Sequence, residues 1–287
     1  MKRYHCLACC LLVSSVAFAQ SAPRFEVASI RPSAEQQNQV TVGVSVNGSH
    51  VRISYWTLKD YIAMAYAVRP DQIKGPDWLG QARFDISAKL PDGASPNSVD
   101  TMMQELLADR FQLRIHREQQ EFPVFALALA KDGPKIHPVP VNPADAPPGG
   151  AFNAVGSGNA SAISIDFGGG ATFTLANNRL EIRKMTMTDV AEVLSRFLER
   201  QVVNTTELVG QYDLMLELTP EDYTGMRIRS AINAGVSLPP QALRALEGAS
   251  ANPLSAPLQK YGLSFESRRM PLDVIVVDSA LKTPTEN

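Results

Sequence analysis

Outside the first twenty residues the chain has three histidines, His50, His116 and His137, and these are its candidate imidazoles for metal binding or acid–base work. None belongs to an H-E-x-x-H or any other close metal-ligand spacing, so nothing points to a metal. His50 falls in a hairpin turn, His116 in a strand and His137 at the start of a linker, where solvent-facing roles are the ordinary ones. A Ser-His-Asp triad assembles in space and so stays open. No G-x-S-x-G elbow is present, however, and Gly156-Ser157-Gly158 lies in a segment too poor in structure to hold a strained turn. Gly168-Gly169-Gly170 has no G-K-[ST] after it and opens no helix, so it does not read as a phosphate loop, and no cofactor is implied.

Two carboxylates stand at matching places. Asp85 follows Phe84 and Asp213 follows Tyr212, each in an alternating stretch. Paired carboxylates can serve as acid and base. Here each comes directly after an inward aromatic, so each is expected to face solvent or cap a turn. The remaining motif is Gly75-Pro76-Asp77-Trp78, a tight connector that either buries an indole or presents it. Asp77 and Trp78 are therefore the candidate binding residues, with the aromatic as anchor.

The elements that position these residues come in a repeated order. Val46–Asp60 (VNGSHVRISYWTLKD) aligns without a gap on Leu175–Asp189 (LANNRLEIRKMTMTD). Val51 and Ile53 fall on Leu180 and Ile182, Thr57 on Thr186, and Asp60 on Asp189. Asn47-Gly48 and Asn177-Asn178 predict hairpins. Thr57 and Thr186 predict helix N-caps, with helices to about Val68 and Arg200. Arg83–Leu90 and Gly210–Leu218 predict half-buried strands, each followed by a proline. The first half continues with a helix at Val99–Arg110 and strands at Gln112–Arg117 and Phe122–Lys131. The second continues with a polar insertion, Tyr223–Ala256, holding a short helix near Pro240–Glu247. A short helix at Leu254–Tyr261 and strands at Leu263–Glu266 and Pro271–Asp278 follow.

This order predicts an α+β fold of two similar halves, a tandem duplication. Each half is a small, mostly antiparallel sheet covered by two helices. The first half spans 24–137 and the second 171–283, with the insertion at 223–256. Between them, 138–170 is rich in Pro, Gly, Ala and Ser and reads as a flexible linker, with a strand at Ile163–Phe167 inside it.

Residues 1–19 read as a signal peptide. Lys2 and Arg3 precede the apolar Cys6–Val16, and Ala17-Phe18-Ala19 is an A-x-A cleavage site. All three cysteines lie in that segment, so an exported chain starting at Gln20 has no disulfide and no thiol chemistry. No later stretch approaches the roughly 18 apolar residues of a membrane helix. The net charge of −2 comes from interspersed signs, without the basic stripe that nucleic acid requires.

Phe25-Glu-Val-Ala-Ser-Ile-Arg-Pro32, Gly75-Pro76-Asp77-Trp78-Leu79, Ala108-Asp109-Arg110-Phe111, Gly210-Gln211-Tyr212-Asp213 and the closing Val277-Asp278 and Pro284-Thr285-Glu286-Asn287 carry a resemblance. Together they resemble the signatures of a soil-associated exported family of unknown function, abundant in acidobacteria. The likeness covers nearly the whole exported chain. It implies export, and some members are fused to a membrane metallopeptidase sensor. It implies no catalytic residues, because none are established for that family. A pattern-level likeness to the short repeats of secretins and TonB-dependent receptors also exists.

The reading that follows is a non-enzymatic binding protein, periplasmic or secreted. Its partner would be an envelope protein or a small ligand, met by a groove or by strand addition at a sheet edge. Two alternatives remain: an envelope hydrolase with a site between the halves, and a sensor or regulatory domain for a membrane metallopeptidase.

Overall fold

Two threonines set the local frame. Thr57 ends a strand with extended backbone, and its Oγ1 accepts from the Asp60 N–H at 3.2 Å. The Asp60 carboxylate accepts in return from Thr57 N at 2.9 Å. Thr186 and Asp189 form the same pair of bonds at 3.2 and 3.0 Å. Each pair is a capping box that satisfies N–H groups with no partner inside the helix.

The computed structural model describes residues 22–34, 43–94, 98–140, 153–154, 163–167, 169–233, 238 and 240–286. The signal-peptide segment 1–19 and most of the linker between 141 and 162 lie outside the described residues. In chain order the elements begin with β1 (Val27–Pro32), β2 (Gly43–Asn47), β3 (His50–Thr57), α1 (Leu58–Ala65), β4 (Ile73–Lys74) and β5 (Arg83–Lys89). Then come α2 (Val99–Arg110), β6 (Arg114–Leu129), β7 (Asn153–Ala154), β8 (Ile163–Asp166), β9 (Thr172–Ala176) and β10 (Arg179–Met185). The rest are α3 (Met187–Ser195), β11 (Val202–Asn204), β12 (Tyr212–Glu217), α4 (Pro220–Asn233), α5 (Pro240–Arg244), α6 (Ser255–Gln259) and β13 (Leu263–Ser279).

The architecture is mixed α+β, as the sequence predicts. The first sheet has the order β1-β5-β3-β2 and the second β12-β10-β9-β8-β7, both antiparallel. The third has the order β11-β6-β13-β4. Its two long strands run antiparallel from Leu129 opposite Leu263 to Arg114 opposite Ser279, with Phe122 opposite Met270 near the middle. The short strands β11 and β4 flank them in parallel.

The hydrophobic cores explain this third sheet. One core gathers Ile53, Tyr61, Ile62, Phe84, Ile86 and Leu107 from the first sheet and its helices, and adds Ile275 and Val277 from β13. The other gathers Phe173, Leu175, Ile182, Leu194 and Phe197, and adds Leu127 from β6. Each core is completed by the long strand that belongs to the other end of the sequence.

Two features differ from their sequence-based expectation. The strands predicted at Gln112–Arg117 and Phe122–Lys131 are one strand, β6, and the last two predicted strands are likewise one, β13. The predicted gaps, 118–121 and 267–270, are part of the ladder, and Pro123 and Pro271 beside them do not interrupt it. Phe125 N–H donates away from β13, to Gln201 O at 2.9 Å, so Pro123, two residues earlier, has its nitrogen on that same outer side. A proline is tolerated there because no ladder bond is lost. The second difference is α4, where the sequence predicts a polar insertion. Its buried residues, Asp222, Gly225, Met226 and Arg229, follow helical spacing, but only one is a large apolar side chain. The strand predicted at Ile163–Phe167 inside the linker is present as β8, and it joins the second sheet through β9.

Candidate functional site

Asp77 and Trp78 open a 3₁₀ turn, Asp77–Gly80, that is pressed against β13. A Cβ on Gly75 would lie 2.6 Å from Leu79 Cδ1 and 3.1 Å from Val277 Cβ, so the approach requires glycine. Trp78 is partly buried on the first core, with Lys282 Nζ 5.9 Å from its ring centroid. Asp77 is exposed.

His116 has two carboxylate neighbours. Its Nδ1 lies 2.8 Å from Asp278 Oδ1 and its Nε2 3.5 Å from Glu118 Oε1, while Lys74 Nζ reaches Glu118 at 3.1 Å. The hydrogen bond to Asp278 holds the imidazole pKa above its ordinary value, and Glu118 adds to this. With a carboxylate at each nitrogen, the ring favours the doubly protonated form. A general base serving a serine would need one nitrogen directed at the hydroxyl. The side chain is half exposed on the outside of the third sheet. The four groups instead form an ionic chain across β4, β6 and β13. His50 and His137 are exposed.

Asp85 and Asp213 both serve backbone geometry. The register of β3 slips between Ile53 and Trp56, and that of β10 between Ile182 and Met185. Each slip holds one residue in the left-handed region, Tyr55 (φ 65°) and Lys184 (φ 49°). Tyr55 N–H donates to Asp85 Oδ1 at 2.8 Å, and Lys184 N–H donates to Asp213 Oδ1 at 2.8 Å. A carboxylate at each bulge thus satisfies an N–H that the ladder has lost. Among the described residues no group of three or more His, Cys, Asp and Glu side chains is placed to hold a metal.

A site the sequence reading missed lies at the centre of the third sheet. The segments following α1 and α3 meet over β6 and β13, leaving a cleft of about 70 Å³. Arg69, Asp71 and Gln72 line it from one side, Glu199, Arg200 and Gln201 from the other, with Phe122, Pro123 and Leu272 at its base. Arg69 joins the two sides. Its guanidinium donates to Ser195 O and Glu199 O, both at 3.2 Å, and lies 3.4 Å from Asp71. It therefore supplies donors and positive charge to carbonyls at the C-terminal end of α3 and in the segment after it.

Two glutamines, Gln72 and Gln201, each lie fifteen residues after a capping threonine, and they differ in their bonding. Gln72 is buried, accepts from Arg69 N at 2.9 Å and donates to Asp273 O at 2.7 Å. Gln201 has a buried Oε1 with no hydrogen-bond partner. The signal for this cleft was present in Gln72-Ile73 and Gln201-Val202, but neither side chain is of a type that announces chemistry.

Residues 59–280 match the family described as protein of unknown function DUF3738. That is most of the chain, and the chain belongs to this family. No curated protein and no solved structure matches it. No helix among the described residues is long and apolar enough to cross a membrane.

Proposed function

We propose that the protein is an exported, non-enzymatic binding protein of the bacterial envelope, periplasmic or secreted, built by tandem duplication. The observation that carries the binding reading is how the chemical groups are used. His116, Asp85 and Asp213 each serve local structure, while the segments after α1 and α3 leave a cleft lined by Arg69, Asp71, Glu199 and Arg200. Export is supported by Lys2-Arg3, the apolar Cys6–Val16 and Ala17-Phe18-Ala19. The soil association rests on sequence resemblance alone.

Duplication is supported by paired devices: the two capping boxes, the two bulges with their carboxylates, and Pro123 and Pro271 on either side of the Phe122–Met270 pair. A further pair extends the likeness. Ser33 N–H, after Ile30-Arg31-Pro32, donates to Arg83 O at 2.9 Å, and Val139 N–H, after Ile136-His137-Pro138, donates to Gln211 O at 2.8 Å. On this reading the second unit begins near Ile136 rather than after the linker.

Trp78 and Asp77 form a second contact surface in the proposal, because Trp78 is only partly buried and Asp77 is exposed beside it. The test uses residues 20–287 as bait against periplasmic extract, beside the Arg200→Glu and Trp78→Ala variants. A partner retained by the wild type and lost with one variant supports the reading. Turnover of a cell-wall or peptide substrate that disappears in His116→Ala would overturn it.

A further inference from the structure

We propose that the protein pairs with a second copy of itself along the free edge of β6, through Arg117–Glu121, in an antiparallel two-fold arrangement. β13 covers one side of β6 over its whole length, whereas β11 covers the other side only from Phe125 to Leu127. There Phe125 N–H donates to Gln201 O and Leu127 O accepts from Thr205 N, both at 2.9 Å. Alternation along a regular strand directs the main-chain groups of Arg117, Gln119 and Glu121 to this same outer side. Among the described residues these groups have no backbone partner, and the Glu121 carbonyl accepts from the Arg269 side chain at 3.2 Å. All five residues from Arg117 to Glu121 are exposed. A row of unpaired N–H and C=O groups of this kind is a template for another strand.

The residue types name the strand that fits. Arg117-Glu118-Gln119-Gln120-Glu121 is self-complementary when run antiparallel about Gln119. Arg117 of each copy then faces Glu121 of the other, and Gln119 faces Gln119. All three are outward residues, so they form hydrogen-bonded pairs, while Glu118 faces the neutral Gln120. Opposite charges directly across a ladder are favourable and like charges are not. Moving the centre by one residue loses the match. About Glu118, two Glu118 carboxylates face each other. About Gln120, Arg117 meets Pro123, which has no N–H to give. The side chains are also held in advance. Asp273 accepts from Arg117 at 2.7 Å and also from Gln119, and the Arg117 guanidinium lies 5.9 Å from the Tyr66 ring centroid. Ordering them on association therefore costs less. The corresponding edge of β13 lacks this match at its outward positions, since a pair about Ser267 sets Phe265, already packed on the second core, against Arg269.

The experiment is sedimentation velocity on residues 20–287, from micromolar to millimolar protein. The wild type should pass from monomer to dimer with a dissociation constant on the order of 0.1 mM, as suits a contact smaller than the about 1,200 Å² of a stable interface. Arg117→Glu and Glu121→Arg should each weaken association by about tenfold, since each sets like charges across both ends of the ladder. An equimolar mixture of the two variants should recover it, because opposite charges then face each other again at both ends. Gln119→Pro should leave only monomer while its thermal midpoint stays within a few degrees of wild type, because Pro123 already occupies an outward position of the same strand. A wild type that stays monomeric at millimolar concentration overturns the proposal. So does a dimer that all three variants keep, or a mixture that associates no better than its components. A larger fall in the Gln119→Pro midpoint also overturns it, since the Gln119 N–H would then be bonded within the chain. Partner binding is judged separately, on the pull-down with Arg200→Glu and Trp78→Ala, neither of which lies on this edge.

Discussion

Gly225 shows how a single missing side chain holds an element in place. It lies on the buried face of α4, and a Cβ there would collide with the Cβ of Ala249. The loop around Ala249 can approach because two charged residues on the same face grip its backbone. Asp222 Oδ1 accepts from Ser250 N at 2.7 Å, and Arg229 donates to Ser250 O at 3.1 Å. Burial alone would raise the Asp222 pKa, but the hydrogen bonds from Ser250 and Thr219 outweigh it and the carboxyl titrates below its ordinary range. Gly225→Ala must therefore displace the loop or the helix, and should cost about 1–3 kcal/mol. Urea denaturation should show a lower midpoint with an unchanged slope, and Ala249→Gly in the same chain should recover part of the loss. An unchanged midpoint would mean that the loop does not pack on α4. None of this was legible in the sequence, because a helix face made of Asp, Gly, Met and Arg has no apolar period to read. The threonine caps were legible for the opposite reason: a capping box is written within four consecutive residues.

Among the elements, the third sheet depends most on partners far apart in sequence. His116 was placed correctly in a strand, but its Asp278 partner could be found only from the register of β6 against β13, which sets His116 opposite Val276. Hydrophobic alternation fixes which face a residue takes, not which distant strand it meets. The ionic chain from Lys74 through Glu118 and His116 to Asp278 ties β4, β6 and β13 together, and it carries a defined pH dependence. The His116 pKa is raised in the folded state, so its contribution is fully present below the pKa of a free imidazole. That contribution is lost as pH rises through the folded pKa. Because the groups are exposed, the effect belongs to the local pairing rather than to global stability. Carbon-detected NMR titration should find His116 titrating above the ordinary imidazole value, and Asp278→Asn should bring it down. Identical titration curves for wild type and Asp278→Asn would show that the pair does not persist in solution.

At the scale of the molecule, two cores share two strands in a reciprocal manner. The shared order of hairpin, cap and alternating strand was legible in the sequence. The two long strands stayed hidden, because the polar runs Glu118–Glu121 and Ser267–Arg269 made each look like two short ones. The joining has an energetic consequence. Ile275 is fully buried in the first core although it lies near the end of the chain, and Leu127 is fully buried in the second core although it precedes it. Neither core can keep its packing if β6 and β13 separate, so loss of one should unravel the other. Truncating either residue to alanine leaves a cavity and should cost about 2–5 kcal/mol. In molecules with independent domains, such a change would lower the melting temperature of one domain only. Here, Ile275→Ala and Leu127→Ala should each shift one calorimetric transition downward as a whole, with the calorimetric enthalpy still equal to the van't Hoff enthalpy. Two resolved transitions in either variant, one of them at the wild-type temperature, would show that the halves are stable separately and that the shared strands do not couple them.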